Sequence, residues 1–507
     1  MRRVFLLLML LMCSCAVRPE SRPVGRTTLE TMPLNWFKTD GLAPRAIAFS
    51  HLLHVLGEHG LDPNSYGYTQ LRAVRESDPS KRNELETLLT RAFVELAVDV
   101  RFGRLAARTA DGDPSAMTPP RGPAAAALKT RALNVLADPT QSIETFIDSL
   151  FPQHAQYHKM KQALATYRAI AQSGGWPTIP PGPALSPGAS DSRVPILVDR
   201  LRATDDLQSS GPFTSRYSDE IVDCVRAFQR RHGLEPDGVV GKETVDAMNV
   251  SVDERIHELM VNLERWRWLD RELGERFVMV NVAGFELVFV QRNEDKSTVL
   301  FRTPVIVGQP FLSTPVFSGR IQYVELNPYW NVPKSIEVNE IEPKLRKNPN
   351  YLVTQHMELV DDNGWQHLRQ TPGPWNALGA IKFVFPNPYD VYLHDTPSKA
   401  LFRERKRTFS HGCIRVKDPL ELAELLLGGE SAGWSAHRLK DIVGEGRNVK
   451  VALSEKIPIH IVYRTAWVDV DGSINFRSDV YGRDGRMIEK LFNQKQVAPG
   501  VNERAAQ

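Results

Sequence analysis

The sequence predicts a multi-domain α+β protein. It would comprise a mainly helical N-terminal domain, a small three-helix module, and a β-rich C-terminal domain interrupted by a long insertion. Three observations lead there. At 507 residues the chain is too long for a single hydrophobic core. Apolar residues recur at helical spacing through residues 30–172, as amphipathic helices require. Beyond a Gly- and Pro-rich stretch and one further small unit, the period shortens at Phe277 to that of strands. The hydrophobic share of 42% and charged share of 24% are those of an ordinary folded protein. The net charge of +3 is the small difference between 63 basic and 60 acidic residues. That balance offers no general attraction for nucleic acid, so no nucleic-acid partner is expected.

Taken in order, residues 1–15 read as a signal peptide. Met1-Arg2-Arg3 is basic, and Val4 to Met12 is an unbroken apolar run too short to span a bilayer. The run ends at Cys13-Ser14-Cys15-Ala16, and Met12 to Cys15 resembles a bacterial lipobox. Cys15 is the candidate lipidated residue, with plain cleavage and an uncleaved anchor as the alternatives. Each alternative exports the chain, so a periplasmic or cell-envelope location is expected, with a membrane anchor through the N-terminus if the lipid is added. Residues 30–172 form the helical scaffold, carried by Ile47–Leu56, Asn83–Leu105 and Ile143–Ile170. Breaks fall at Asp62-Pro63-Asn64 and at Thr118 to Pro123. His51 and His54, and His154 and His158, sit at helical spacing, but no acidic or cysteine partner stands at ligand spacing. They read as packing or surface histidines, and no metal or cofactor is expected.

Residues 173–192 read as an extended linker and domain boundary. Residues 193–250 form a compact unit with helices at Pro195–Leu201, Ser218–His232 and from Lys242. Ile221, Cys224, Val225 and Phe228 share one face, so Cys224 is a core residue. The stretch from Ala227 to Asn249 resembles a peptidoglycan-binding module of the three-helix type, against the alternative of a purely structural helical unit. Residues 254–270 continue as a connecting helix in which Trp266 and Trp268 cannot share a face.

Strands are expected at Phe277–Val282, Phe285–Gln291, Thr298–Val307, Gly319–Leu326, Ile381–Phe385 and Asp390–His394, in a domain spanning 275–455. Residues 331–379 are too long for a simple loop and are expected to form a cap. Residues 456–507 are a C-terminal extension packed on this domain. Within it, Asp469-x-Asp471-Gly472 reads as a hairpin turn, because the glycine comes too early for a calcium loop and Val480 stands at position twelve.

The chemistry concentrates in Ser410-His411-Gly412-Cys413-Ile414-Arg415. Cys413 is the only cysteine after Cys224, and His394 lies nineteen residues upstream. A thiol attacks carbonyls only as a thiolate, so a neighbouring base must take its proton. His411 is two residues from Cys413 and borders the site. His394 closes a strand and can approach from a neighbouring one, so it is the expected base and acid, oriented by a carbonyl or carboxylate near Asp395. Gly412 with the Cys413 amide is a candidate oxyanion hole, to which the Tyr392 hydroxyl adds. Arg415 is expected to hold a substrate carboxylate and to favour the thiolate, and Ser410 to line the substrate side. A buried structural cysteine would not need this glycine and histidine spacing. A papain-like arrangement would place the cysteine before the histidine.

The spacing resembles the L,D-transpeptidase catalytic domain. Its signature of a histidine, some sixteen residues, then Ser/Thr-His-Gly-Cys, a hydrophobic residue and Asn or Arg appears as His394, fifteen residues, and Ser410 to Arg415. Pro372 to Gly379 and Phe383 to Asn387 resemble the large, periplasmic, multi-domain branch of that family. The resemblance implies a scaffold domain, a peptidoglycan-binding module and a capped catalytic domain in this order. It further implies a Cys413 thioacyl-enzyme formed at residue three of a tetrapeptide stem, with loss of D-Ala and resolution by a second stem to a 3→3 cross-link. Water or a free D-amino acid would give hydrolysis or exchange, and a carbapenem would acylate Cys413. The implied partners are peptidoglycan stem peptides and glycan, with penicillin-binding proteins or other wall-synthesis proteins as candidate protein partners. A wall-binding scaffold without catalysis is the alternative from another class.

Overall fold

The computed structural model describes residues 36–38, 41–73, 82–105, 122–293, 296–362 and 364–492. The signal peptide, Cys13, Cys15 and the last fifteen residues lie outside them. In the helical region, α1 (Pro44–Val55), α2 (Arg82–Phe102), α3 (Gly122–Ala137) and α4 (Ala155–Gln172) enclose one core containing Phe49, Leu53, Leu89, Phe93, Tyr157 and Leu164. In the small module, α5 (Val194–Ala203), α6 (Asp219–Arg231) and α7 (Lys242–Met248) surround Leu197, Leu201, Ile221, Val225 and Phe228. Cys224 is only partly buried at the edge of that core. The expected linker is extended but not free. Ile179 and Leu185 belong to the module's core, Leu185 bridges to Val240, and the Asn249 side chain brackets Ile179 at 2.8 and 2.9 Å.

The connecting helix α8 (Val252–Trp266) opens with a capping box between Ser251 and Glu254. It is more than a connector. Leu259, Met260, Leu263 and Trp266 complete the helical core, while Val261 and Trp268 form a second cluster with Leu105, Met487 and Leu491.

The C-terminal domain is a nine-stranded sheet. Its strands are β1 (Arg276–Asn281), β2 (Glu286–Asn293), β3 (Lys296–Gly308), β4 (Phe317–Leu326), β5 (Ile381–Val384), β6 (Leu393–His394), β7 (Thr408–Ser410), β8 (Ile414–Val416) and β9 (Val449–Val462). They are ordered β7-β3-β8-β6-β5-β4-β9-β1-β2, and β2 pairs back to β3. The long β3 makes this closure possible, because its first part pairs with β2 and Val305–Ile306 with β8. Val278, Leu287, Phe289, Ile321, Phe383 and Ile459 fill the interior.

Two boundaries shift from the sequence expectation. β9 runs continuously through residue 456, with its register shift between Ala452 and Ile457, so no domain edge falls there. The residues after β9 do not pack on the barrel alone. Ala466, Val468 and Phe476 enter the helical core. The insertion leaves the sheet after Leu326 and returns at Ile381. It holds a three-stranded antiparallel sheet (Trp330–Asn331, Trp365–Gln370, Met357–Asp362) and its own small core of Val332, Ile341 and Leu368. No helix among the described residues is long and apolar enough to cross a membrane.

Candidate active site

β6 and β8 run parallel, with Leu393 opposite Ile414 and His394 opposite Arg415. Leu393 and Ile414 are fully buried in the barrel core. Strand alternation therefore turns Tyr392, His394, Cys413 and Arg415 together to the outer face. The row continues sideways: Lys382 on β5 lies opposite His394, Glu325 on β4 opposite Lys382, and Lys450 on β9 opposite Glu325. Lys450, Glu325, Lys382, His394 and Arg415 thus form a polar ladder across neighbouring strands, with Cys413 near its end.

The turn that presents Cys413 is held from within. The Ser410 hydroxyl donates to the Cys413 carbonyl at 2.5 Å and accepts the Gly412 amide at 3.2 Å. Gly412 has φ +114°, a conformation an L side chain resists. Its carbonyl accepts from the Thr314 hydroxyl at 2.9 Å, which also takes the Gly308 amide at 2.9 Å. Tyr481, from the C-terminal extension, donates to the Gly308 carbonyl at 2.7 Å and accepts the Thr314 amide at 3.3 Å.

Two expectations change here. Ser410 is 2% exposed and its hydroxyl is used inside the turn, so it shapes the turn and does not face substrate. The Gly412 amide is taken by Ser410, which removes it from an oxyanion hole.

His394 donates from Nδ1 to the Asp395 carbonyl at 2.5 Å, leaving Nε2 to accept a proton. The Asp395 carboxylate turns away from the pocket, accepting the Ala380 amide at 2.9 Å and the Lys399 ammonium at 2.5 Å. Asp395 therefore orients the ring through its backbone, not its acid. Gly379, at φ +62°, sits so close that a Cβ there would lie 2.5 Å from Asp395 Cγ. His411 points to the cap, where its Nε2 meets Glu340 at 2.7 Å.

Burial, with Arg415 second, lowers His394 to about 3, against the carbonyls of Asp395 and Leu378, which favour the protonated ring. The imidazole is neutral at neutral pH. Burial pushes the Cys413 thiol up, opposed by hydrogen bonding with Tyr392 and by the Lys382 charge. The site thus rests as neutral thiol and neutral imidazole, with ionisation waiting on a favourable field. Lys382, which was not singled out in the sequence, lies 4.0 Å from the Tyr392 ring centre. Burial lowers its own pKa, while Glu325 and Cys413 hold it up. Arg415 is half-buried, and its Nε is enclosed without a partner among the described residues.

The thiol itself lies 3.7 Å from the Asp390 carbonyl. Asp390 has φ +52°, unusual outside glycine. The Asn387 side chain holds this bend by donating to the Phe385 and Val391 carbonyls, both at 2.7 Å. The Pro386-Asn387-Pro388 run was the available signal for that turn.

Residues 275–451 match the L,D-transpeptidase catalytic domain model, residues 31–164 that of a scaffold domain, and residues 190–248 that described as "Putative peptidoglycan binding domain". A Haemophilus influenzae protein described as "Putative L,D-transpeptidase" is 30% identical over 224 residues, 41% of this chain and 44% of that protein. The match therefore spans less than half of the relative's length. Among solved structures, an L,D-transpeptidase from Mycobacterium smegmatis aligns over 37% of this chain and 58% of its own, at 13% identity and a TM-score of 0.20. One from Xylanimonas cellulosilytica aligns over 56% and 98%, at 14% identity and 0.19. By the descriptions of its three domain matches, the chain carries an L,D-transpeptidase catalytic domain together with a scaffold domain and a peptidoglycan-binding domain.

Proposed function

We propose that the protein is an L,D-transpeptidase that forms 3→3 cross-links in peptidoglycan through a Cys413 thioester. The observation that supports this best is the register that gathers Lys382, Tyr392, His394, Cys413 and Arg415 on one face beside the cap. Arg415, half-buried with an enclosed Nε, suits a substrate carboxylate. That carboxylate would lower the positive field on His394, so that Nε2 takes the thiol proton as the thiolate forms.

The thiolate then adds to the carbonyl at the L-centre of residue three in a tetrapeptide stem. The Cys413 amide and the Tyr392 hydroxyl are the donors left for the developing oxyanion. Collapse breaks the C–N bond, and the imidazolium gives its proton to the departing amine of D-Ala. An amine from a second stem attacks the thioester and yields its proton to His394. The new amide leaves and Cys413 returns as thiol. Water in place of the amine gives L,D-carboxypeptidase activity, and a free D-amino acid gives exchange, on the same atoms. The module at 190–248 would hold the enzyme to the wall, in the cell envelope, with Cys15 as the site of lipid anchoring.

The test is incubation with disaccharide-tetrapeptide and mass analysis of the products. Cross-linked dimer is expected from the wild type and none from Cys413→Ala or His394→Ala. Full activity in His394→Ala would move the base to His411. Tripeptide without dimer would move the function to hydrolysis.

A further inference from the structure

A cavity of about 460 Å³ lies away from Cys413, between α4, the outer face of β1–β3 and the residues after β9. Its existence follows from an unusual pattern. β1 to β3 are apolar on both faces: Val278, Val280, Leu287 and Phe289 fill the barrel, while Phe277, Met279, Val288 and Val299 form an apolar wall outside it. Strands apolar on both faces are covered on both, and here the second cover, from Trp266 and Trp467, stops short of filling the space.

Arg464 lines this cavity and is 8% exposed. Its backbone is fixed by Asn281, which accepts the Arg464 amide at 2.9 Å and donates to its carbonyl at 3.1 Å. Its guanidinium lies over the Trp266 ring at 3.8 Å, and its Nη2 is buried with no hydrogen-bond partner among the described residues. A buried guanidinium without an acid is costly, and one cation–π contact recovers only part of the lost hydration. The nearby carboxylates are committed elsewhere. Glu286 binds Arg302 at 2.7 and 2.6 Å, and Asp469 meets the same arginine at 3.3 Å. Lys159 donates to the Asp469 and Val470 carbonyls, and Arg292 adds a further cation to the wall. Cations therefore outnumber carboxylates around the space. The same field shows in His154, which burial, with help from Arg464 and Arg292, holds at about 4.

We propose that this cavity binds an amphipathic monoanion, a carboxylate on an apolar body, with the Arg464 guanidinium as the carboxylate's partner. The unpartnered Nη2 offers a donor to one carboxylate. Glu286 and Asp469 disfavour a dianion, and the walls of Phe277, Met279 and Val288 suit an alkyl or aromatic body. The volume falls in the range of small-molecule pockets. The carboxylate could belong to a free acid or to the C-terminus of an apolar peptide, which present the same chemistry.

The experiment is calorimetric titration of the full chain with sodium octanoate and, separately, with the peptide Ala-Phe-Leu bearing a free C-terminus. Octanamide and the peptide amide serve as neutral controls. One equivalent of at least one carboxylate is expected to bind, at least about tenfold more tightly than its neutral control. Arg464→Met should weaken it by about tenfold or more while leaving the Cys413 alkylation rate unchanged. Octanoate binding identifies a free-acid site, and peptide binding a chain-terminus site. Absence of binding by both carboxylates up to roughly 10 mM, equal binding of a neutral control, or undiminished binding in Arg464→Met overturns the proposal. If Arg464→Met fails to fold, Val288→Trp, which fills the cavity from β2, must abolish binding instead. Wild-type affinity in that variant overturns the proposal equally.

Discussion

Burial raises the Cys413 thiol, and the Lys382 charge adds to the hydrogen bonding from Tyr392 that opposes it. Replacing Lys382 with methionine keeps the length and removes the charge. Lys382→Met is expected to raise the thiol pKa and so to slow iodoacetamide alkylation at pH 7. The rate should fall roughly tenfold for every pH unit by which the ionisation midpoint rises. A pH profile of the alkylation rate checks this, and the midpoint should move to higher pH. Gly412→Ala tests the turn itself. At φ +114° the added Cβ should cost about 1–3 kcal/mol of strain, or relax by rotating Cys413 out of place. Cross-linking activity should fall more than thermal stability does, which melting and product analysis together would show. His394 and Cys413 stand out in the sequence as candidates because their chemistry is local and their spacing distinctive. Lys382 does not, because its place beside them is a cross-strand relation. Ile381-Lys382-Phe383 shows alternation but not the neighbour it alternates against. Ser410 misled for a related reason. Its hydroxyl could face substrate or its own backbone, and in the fold it bonds the Cys413 carbonyl and the Gly412 amide.

The cap depends on one side chain at its root. Asn376 is fully buried. It donates to the Pro328 and Thr371 carbonyls at 3.0 Å each and accepts the Leu378 amide at 2.8 Å. It thereby ties the outgoing chain after β4 to the incoming chain before β5. Asn376→Ala should strand these buried groups at about 1–3 kcal/mol, concentrated at the base of the insertion. Hydrogen exchange is expected to quicken in residues 331–379 while β1 and β9 stay protected. Uniform quickening across the barrel would show that the cap is not an independent unit. The insertion's extent was readable from its length and from the strand patterns on either side. Its contact with the nucleophile segment, His411 to Glu340, was not, because helical residues of a cap carry no periodic mark of what lies beneath them.

At the scale of the whole molecule, buried histidines and the C-terminal segment set the limits of stability. Burial lowers His59 to about 2, His394 to about 3 and His154 to about 4, and carries His232 well below its ordinary value. Each folded pKa lies below the unfolded one near 6.5. Between the two, the unfolded chain binds a proton that the folded chain refuses. Their contribution is therefore complete above pH 6.5 and is lost on acidification, by about 1.4 kcal/mol per pH unit per histidine. Glu258, Glu286 and Asp484 are raised by burial and act with the opposite sign above about pH 4.5, which softens the slope without reversing it. The melting temperature should fall from pH 7 to pH 5, and His59→Gln should flatten that fall. Phe476 tests how the units are joined. It is 1% exposed, with its ring 5.6 Å from both Tyr167 and His232 and 4.4 Å from the Arg255 guanidinium. The scaffold, the binding module and α8 thus meet on one ring supplied by a segment beyond the barrel. Truncation to alanine should cost about 3–5 kcal/mol, taken from contacts between units more than from within any one of them. Calorimetry of Phe476→Ala should resolve the unfolding into separate transitions, with the barrel's the less affected. Phe289→Ala, inside the barrel, should instead lower the barrel's transition and leave the coupling intact. If Phe476→Ala lowers a single transition without splitting it, the units are coupled elsewhere, through α8 and the Met487–Leu491 cluster.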